Sequence, residues 1–515
     1  MKSLRKLPVG IQSFKELREN DFLYIDKTEK IFELIEGSKA YFLSRPRRFG
    51  KSLLINTLKE LFLGNKELFK GLWIEDKIEW KQYSVIHFDF TKGDYKEFGL
   101  RKYLYTSLQK KALQYQIELK AEGLGSQFQE LIVKLHEKFN EQVVILIDEY
   151  DKPIIDFLSK SEIHQAVENR DIMKEFYSPV KGLDKYIRFF FLTGVSKFTK
   201  VSIFSELNHL QDLTLHRLGA TLLGYTEAEL YHYFADYIQF IASEEGISEE
   251  QLKVNIREWY NGYNFTGNEK VYNPFSVLNF MSSRKFNNYW FETGTPTFLV
   301  KMLAEDKIYD VDQTETDLLS LGNFNIENID VVTVLFQTGY LTLQEQIEFD
   351  MYRLGYPNKE VKNSMLKMLL SEYGAMSSSE TNSLVMKIKR AFLSANFEDL
   401  FLHFNTLFAK IPAEIFEERL ESYYHSIVFL TFTLLGYYAD AEVHTSRGRI
   451  DAVVQTKDAV FVLEFKIKDS AESALQQIKD KQYHHKYLSE EKKIYLIGIA
   501  CNQKEIKEYL IEEVN

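Results

Sequence analysis

The 515-residue sequence reads as an α/β protein, with two layered sheet domains joined by a mainly helical stretch. Three observations carry that reading. Short apolar strands followed by a loop and a helix recur along residues 1–225, and such alternation builds a sheet covered by helices. Over residues 226–410 helix-period patterns dominate. Over residues 411–515 strands return as the hairpin RIDAVVQTKDAVFVLEFKI, followed by a helix and KIYLIGIA. The domain boundaries expected are 1–225, 226–310, 311–410 and 411–515.

In the first domain, YFLS (41–44) is a short strand and RPRRFGKS (45–52) the loop after it. The following SLLINTLKELFLG is a helix, with Leu53, Leu54, Leu58, Leu61 and Phe62 on one side and Gly64 at its end. YSVIHFDF (83–90) is a second strand, and residues 98–140 read as helical. VVILID (143–148) is apolar throughout, as a strand covered on both faces must be. YIRFFFLTGVS (186–196) is another. TEAELYHYFADYIQFI opens the helical stretch with Thr226 and Glu229, a capping box. Turns are expected at GYNF (262–265) and YNPFS (272–276). Residues 311–365 suit a winged-helix unit, with helices and then a strand pair in GYLTLQEQIEFDMYRL, and residues 366–410 are helical. The last domain has a helix in SYYHSIVFLTFTLLGY and strands in AEVHTS, RIDAVVQ and AVFVLEFKI. A turn at Thr456-Lys457-Asp458, a helix in SALQQIKDKQYHHKYL and a last strand, KIYLIGIA, complete it.

Composition bounds the function. Hydrophobic residues are 45% and charged residues 27%, enough apolar material for several cores. The net charge of -11 argues against a protein wrapped in a basic field. Residues 1–60 run against that sign, with 13 Lys and Arg against 8 Asp and Glu. One cysteine, Cys501, excludes an intrachain disulfide framework and a cysteine-rich zinc site. The N-terminus lacks a secretory pattern and no apolar run is long enough to span a bilayer, so a cytoplasmic protein without a membrane partner is expected.

Two constellations carry chemistry. Gly50, Lys51 and Ser52 stand between a strand and a helix. That context offers backbone N–H groups at a helix N-terminus, a lysine for terminal phosphates and a hydroxyl for a magnesium ion. The apolar strand ending in Asp148-Glu149 adds a carboxylate for the ion and a base for water. Thr193 and Ser196 end the next strand, where a phosphate-sensing group would lie. Arg45 occupies the position of the first glycine in the phosphate-loop pattern, so binding is better supported than hydrolysis. The plain alternative is a charged loop and a solvated strand end.

The second constellation is Asp451 with Glu464 and Lys466 on the hairpin. An acid and a lysine at the end of an interior strand are costly unless paired or bound to something. Two carboxylates could hold a divalent ion through oxygen, and the lysine could position water for phosphodiester cleavage. A strand-end salt bridge is the alternative. Glu421 and Glu442 are further acids, and Gln477 and Tyr483 could face the site. His484 and His485 fit a solvated helix face, and His425 a core position, better than ligand positions.

The chain resembles a bacterial family of AAA-ATPase-like proteins with a C-terminal PD-(D/E)XK nuclease-superfamily domain. The matching pieces run nearly the whole length in one order: SFKELRENDFLYIDKT, FLSRPRRFGKSLL, VVILIDEYDKPI, FLTGVSKF, SIFSELNHLQDLT, WYNGYNF, YNPFSVLNF, YWFETGTP, FQTGYLT, GYPNKEV, YYHS, GRIDAVV and FVLEFK. The family's loop tends to read RPRRFGKS, which makes Arg45 a family trait. Ile450-Asp451 stands where the family has proline-aspartate.

The resemblance implies a P-loop, AAA-like sheet with a helical lid, followed by the PD-(D/E)XK domain. It implies ATP held by Arg47, Arg48, Phe49, Gly50, Lys51, Ser52, Leu53 and Asp148, with Glu149 catalytic. It also implies a nuclease site of Asp451, Glu464 and Lys466, with magnesium at Ser52 and Asp148 and at Asp451 and Glu464. The function expected is ATP binding and hydrolysis coupled to cleavage of nucleic acid, DNA before RNA, by a chain able to form a homo-oligomer. The alternative is a signalling or scaffolding ATPase switch whose C-terminal domain binds without cutting. Arg47 or Arg48 is expected to bring charge to the phosphates while Pro46 stiffens the loop.

Overall fold

The computed structural model describes residues 4–159, 161–197, 210–291, 299, 303, 311, 314–322, 330–374, 376–409, 427, 430–431, 433–435, 442–445, 451–456, 458–467, 469–482, 487–488, 492–501 and 505–514. It describes the backbone alone at 92, 373, 442–445, 451–452 and 467. The chain divides into two compact units, Met1–Thr295 with Val311–Val361, and Pro296–Asp310 with Lys362–Asn515.

The first unit is built on a five-stranded, all-parallel sheet in the order β2-β3-β4-β1-β5. Its strands are β1 (Ala40–Ser44), β2 (Ser84–Asp89), β3 (Val143–Asp148), β4 (Ile187–Gly194) and β5 (Gln211–Asp212). All six residues of β3 are buried, as its unbroken apolar run demands. Parallel strands put their carboxyl ends at one edge. Ser44, Asp148 and Gly194 therefore end side by side, where open α/β sheets bind ligands.

The expected helix over 98–140 is divided. Helices run over α4 (Tyr95–Phe98), α5 (Leu100–Gln114) and α6 (Leu124–Phe139). Gln116 turns left-handed (φ 53°), and the Glu130 carboxylate accepts the N–H groups of Lys120 and Ala121, both at 2.8 Å. Side-chain bonds of this kind give the backbone an alternative to the helix.

Helix α9 (Glu227–Tyr233) starts with the expected capping box, but it stops at Phe234 and a new helix runs Ala235–Glu245. Phe234 is buried with Leu230, Ile238, Ile256 and Tyr260 in the core of this helical stretch. The turn expected at 262–265 is instead strand β6 (Tyr263–Asn264), which pairs with β7 (Lys270–Val271), and within 272–276 Asn273 caps a helix that already starts at Pro274 (Pro274–Ser283). The 311–365 segment adds a strand the sequence reading lacked. Here β8 (Thr314–Asp317) pairs with β10 (Met351–Gly355), and β10 pairs with β9 (Thr342–Gln346).

The second unit carries the helices Ser378–Leu393 and Phe397–Ala409 and a sheet in the order β11-β12-β13-β14-β15. Its strands are Glu442–Thr445, Asp451–Gln455, Ala459–Ile467, Lys493–Cys501 and Ile506–Val514. Only β13 and β14 run parallel. The strand expected to be last, KIYLIGIA, is followed by β15. The charges of IKEYLIEEV lie on an exposed edge strand, where charge blocks further pairing. The expected helix around SYYHSIVFLTFTLLGY lies mostly outside the described residues, as do Glu421, His425, Tyr483, His484 and His485. No described helix is long and apolar enough to cross a membrane.

Candidate functional site

The RPRRFGKS loop is held by contacts along its length. The Arg45 N–H donates to Gly194 O (3.1 Å), anchoring the loop to β4. The Arg45 guanidinium is fully buried. It donates to the carbonyls of Ser44, Thr214 and Gly219 (2.8, 2.9 and 2.6 Å) and lies 4.0 Å from the centroid of the Phe265 ring. Burial pulls its pKa down to about 9. The residue in the glycine position is therefore not part of the cleft lining and works as a brace. Gly50 caps α3 (Lys51–Phe62) at φ 97°, a conformation that favours glycine. Arg48 sits at φ 66° with its guanidinium over Phe275, and Phe49 is buried between the rings of Tyr263 and Phe265.

Lys51 is 4% exposed, and its ammonium donates to Arg45 O (2.9 Å) and Pro46 O (3.1 Å), folding the loop around it. Burial lowers its pKa, while Glu149, Asp148 and Asp151 oppose that by favouring the charged form. The Ser52 hydroxyl hydrogen-bonds Asp148, and Thr193 Oγ1 donates to Asp148 Oδ1 at 2.8 Å. Asp148 is 3% exposed. Burial raises its pKa, and the two hydroxyls lower it. Thr193 thus serves the acid and not the cleft, and the Ser196 N–H bonds Asp151 Oδ2 at 2.6 Å. Glu149, in a left-handed turn (φ 52°), faces the cleft.

That cleft has a volume of about 470 Å³. Arg47, Arg48, Gly50, Lys51, Ser52, Leu53, Glu149 and Lys152 are among the residues that line it. Pro8, Ile11, Tyr225 and Phe275 add apolar lining to the same cleft, of a kind suited to a flat ring. Phe49 and Asp148 are not among its lining residues. Lys152 and the Pro8–Gln12 segment were not singled out from sequence. Lys152 follows the acidic strand end in DEYDK, which was the available signal. Among the described residues no three His, Cys, Asp or Glu side chains converge to hold a metal. A hydroxyl beside a carboxylate at a helix start fits magnesium bound jointly with phosphate oxygens and water.

In the second unit, Asp451 and Glu464 occupy directly opposite register positions on β12 and β13. Glu464 is 2% exposed. The Lys466 ammonium lies 3.3 Å from Glu464 Oε1 and donates to Gln477 Oε1 at 2.6 Å, and Gln477 Nε2 donates to Glu464 Oε1. Gln477 comes from α18 (Ala471–Asp480), which lies close on the sheet. A Cβ on Gly498, the register partner of Glu464 on β14, would fall 2.3 Å from Ala471 O. The structure thus brings Glu464, Lys466 and Gln477 together, with Asp451 adjacent in register. For Glu442 it describes only the backbone, on β11.

Residues 8–204 match the family described as Predicted AAA-ATPase, AAA-ATPase-like. Residues 419–509 match the PD-(D/E)XK nuclease superfamily. A curated protein of Azotobacter chroococcum mcd 1, named "Uncharacterized protein in vnfD 5'region", is 39% identical over 517 residues, covering 97% of each chain. No solved structure matches the chain.

Proposed function

With the chain belonging to the AAA-ATPase-like family and ending in a PD-(D/E)XK nuclease-superfamily domain, we propose that it binds and hydrolyses ATP in the first unit and cuts nucleic acid in the second. The observation that carries the nucleotide reading is the junction of the loop with the acidic strand. Lys51 is wrapped by loop carbonyls while Ser52 bonds Asp148, which puts phosphate-binding and ion-binding groups at one helix start. The N–H groups at the start of α3 and the Lys51 ammonium bind the phosphates. Glu149 accepts a proton from the attacking water. Ser52 and Asp148 would hold a magnesium ion, which when bound would supply neutralising charge for the phosphate oxygens. Lys152 and Arg47 add cationic groups to the lining of the same cleft.

For the second unit, support comes from the Glu464–Lys466–Gln477 cluster beside Asp451. The carboxylates of Asp451 and Glu464 would hold a divalent ion through oxygen. Lys466, oriented by Gln477, positions water and offsets charge developing on phosphate. DNA is the first substrate to test, with RNA second. The deciding experiment measures ATP turnover and cleavage of linear, circular and single-stranded DNA and of RNA, with magnesium or manganese, with and without ATP. Lys51→Ala should lose ATP turnover, and Lys466→Ala should lose cleavage while keeping ATP binding. ATP turnover without any cleavage would favour a switch whose C-terminal domain only binds its partner.

A further inference from the structure

The order β8, helix Leu318–Leu321, helix α14 (Val331–Thr338), β9, β10, with the sheet order β8-β10-β9, is a winged-helix arrangement. In helix-turn-helix readers the second helix enters the major groove. Here that helix, VVTVLFQT, has no lysine or arginine and is buried along most of its length. The β9–β10 tip carries Glu348 and Asp350 around an exposed Phe349, charge that repels a phosphate backbone, while the nearby Arg353 is paired with Glu345 and Glu315. This helix is therefore turned inward, and its contacts say toward what.

Gln337 Oε1 accepts the Lys197 N–H at 3.1 Å, and its Nε2 donates to Leu321 O at 2.9 Å. Lys197 lies just past β4, next to Val195 and Ser196, whose N–H groups both donate to Asp151 Oδ2 (2.8 and 2.6 Å). A continuous path thus runs from the DEYD turn, through the end of β4, to α14. A second contact reaches the phosphate loop. Gly339 (φ 90°) packs so closely on Pro46 that a Cβ would fall 2.5 Å from its Cγ. The adjoining Tyr340 ring packs on Trp290, whose indole N–H donates to Arg47 O at 2.9 Å. The Pro46 carbonyl is in turn one of the two acceptors of Lys51.

We propose that this winged-helix unit positions the nucleotide site, with Gln337 holding the β4 end beside the acidic turn and Gly339 with Trp290 holding the phosphate loop. The proposal rests on the nucleotide reading above. It assigns different consequences to the two contacts. The β4 end flanks the residues that act on water, so loosening it lowers turnover. The loop carries the phosphate-binding N–H groups, so moving it weakens ATP binding. All of these are positioning residues, since none touches the reacting atoms. By linkage, any partner that moves the unit changes ATP affinity by the same factor that ATP changes the partner's.

The test is steady-state ATP turnover of the full chain with magnesium, for Gln337→Met, Gly339→Ala and Trp290→Phe. Loss of one such hydrogen bond from a transition-state arrangement costs about tenfold. Gln337→Met should lower kcat about tenfold and leave KM within about twofold. Gly339→Ala and Trp290→Phe should raise KM by about five- to tenfold and leave kcat within about twofold. Trp290→Phe keeps a ring against Tyr340 and so guards against a Gly339→Ala chain that fails to fold. Wild-type chain that neither binds nor turns over ATP would overturn the nucleotide reading. Normal wild-type turnover with unchanged constants in all three variants, or with kcat and KM moving together, would overturn this proposal alone.

Discussion

Asp151 is 1% exposed, and burial raises its pKa from an ordinary 3.8 to about 7 despite two N–H donors at Oδ2. Its Oδ1 has no hydrogen-bond partner among the described residues. Asp151→Asn keeps an oxygen for Val195 and Ser196 and removes the titration. The folded chain holds the proton up to about pH 7, whereas the unfolded chain releases it near pH 4. Between those values the unfolded state binds fewer protons, so wild-type stability falls as pH rises and levels off above pH 7. At about 1.4 kcal/mol per pH unit, that loss reaches about 4 kcal/mol. Relative to wild type, Asp151→Asn should gain about 3 kcal/mol between pH 5 and pH 8. All four tryptophans, Trp73, Trp80, Trp259 and Trp290, lie in the first unit. Urea unfolding followed by tryptophan fluorescence therefore reports the unit that matters. A stability difference that is the same at pH 5 and pH 8 would refute the reasoning.

Three further outcomes follow from particular contacts. Gln477→Leu removes the amide between Lys466 and Glu464, so metal-dependent cleavage should fall by about ten- to a hundredfold while ATP turnover is unchanged. Equal cleavage by wild type and variant would remove Gln477 from the site. Gly498→Ala drives a Cβ into the backbone of the helix above it and should destabilise the second unit by about 2 kcal/mol. Hydrogen exchange in β13 and β14 should speed up while the tryptophan signal stays as in wild type. Arg45→Met strips buried carbonyls of Thr214 and Gly219 of their donor, so ATP should bind about tenfold more weakly. Unchanged affinity would show that the brace is dispensable.

Much of the fold was legible because single segments announce themselves. An apolar strand such as VVILID has few alternatives to a covered sheet position, and Thr226 with Glu229 marks a helix start on local bonding alone. The errors came where neighbours decide. Residues 115–123 leave the helix where Glu130, from the next helix, accepts the N–H groups of Lys120 and Ala121. IKEYLIEEV is a strand because β14 offers an edge to pair with. The GKS loop between strand and helix, the Asp148-Glu149 strand end and the closeness of Glu464 to Lys466 were all legible in residue order. Thr193 was expected to face phosphate, yet it bonds Asp148.

The sequence by itself determined the two α/β units and where their polar strand ends and loops fall, because a strand followed by GKS, an apolar strand ending in Asp-Glu, and Glu-x-Lys on an interior strand are local patterns. It also determined the family. Only the tertiary structure decided what the arginines of RPRRFGKS do. Arg45 is a buried brace on distant carbonyls and Arg48 lies over Phe275, while Pro46 and Arg47 are held by residues about 240–290 positions away. The physical reason is that a charged side chain's role depends on which dipoles, rings and carboxylates surround it, and chain folding supplies those from segments that no local pattern connects.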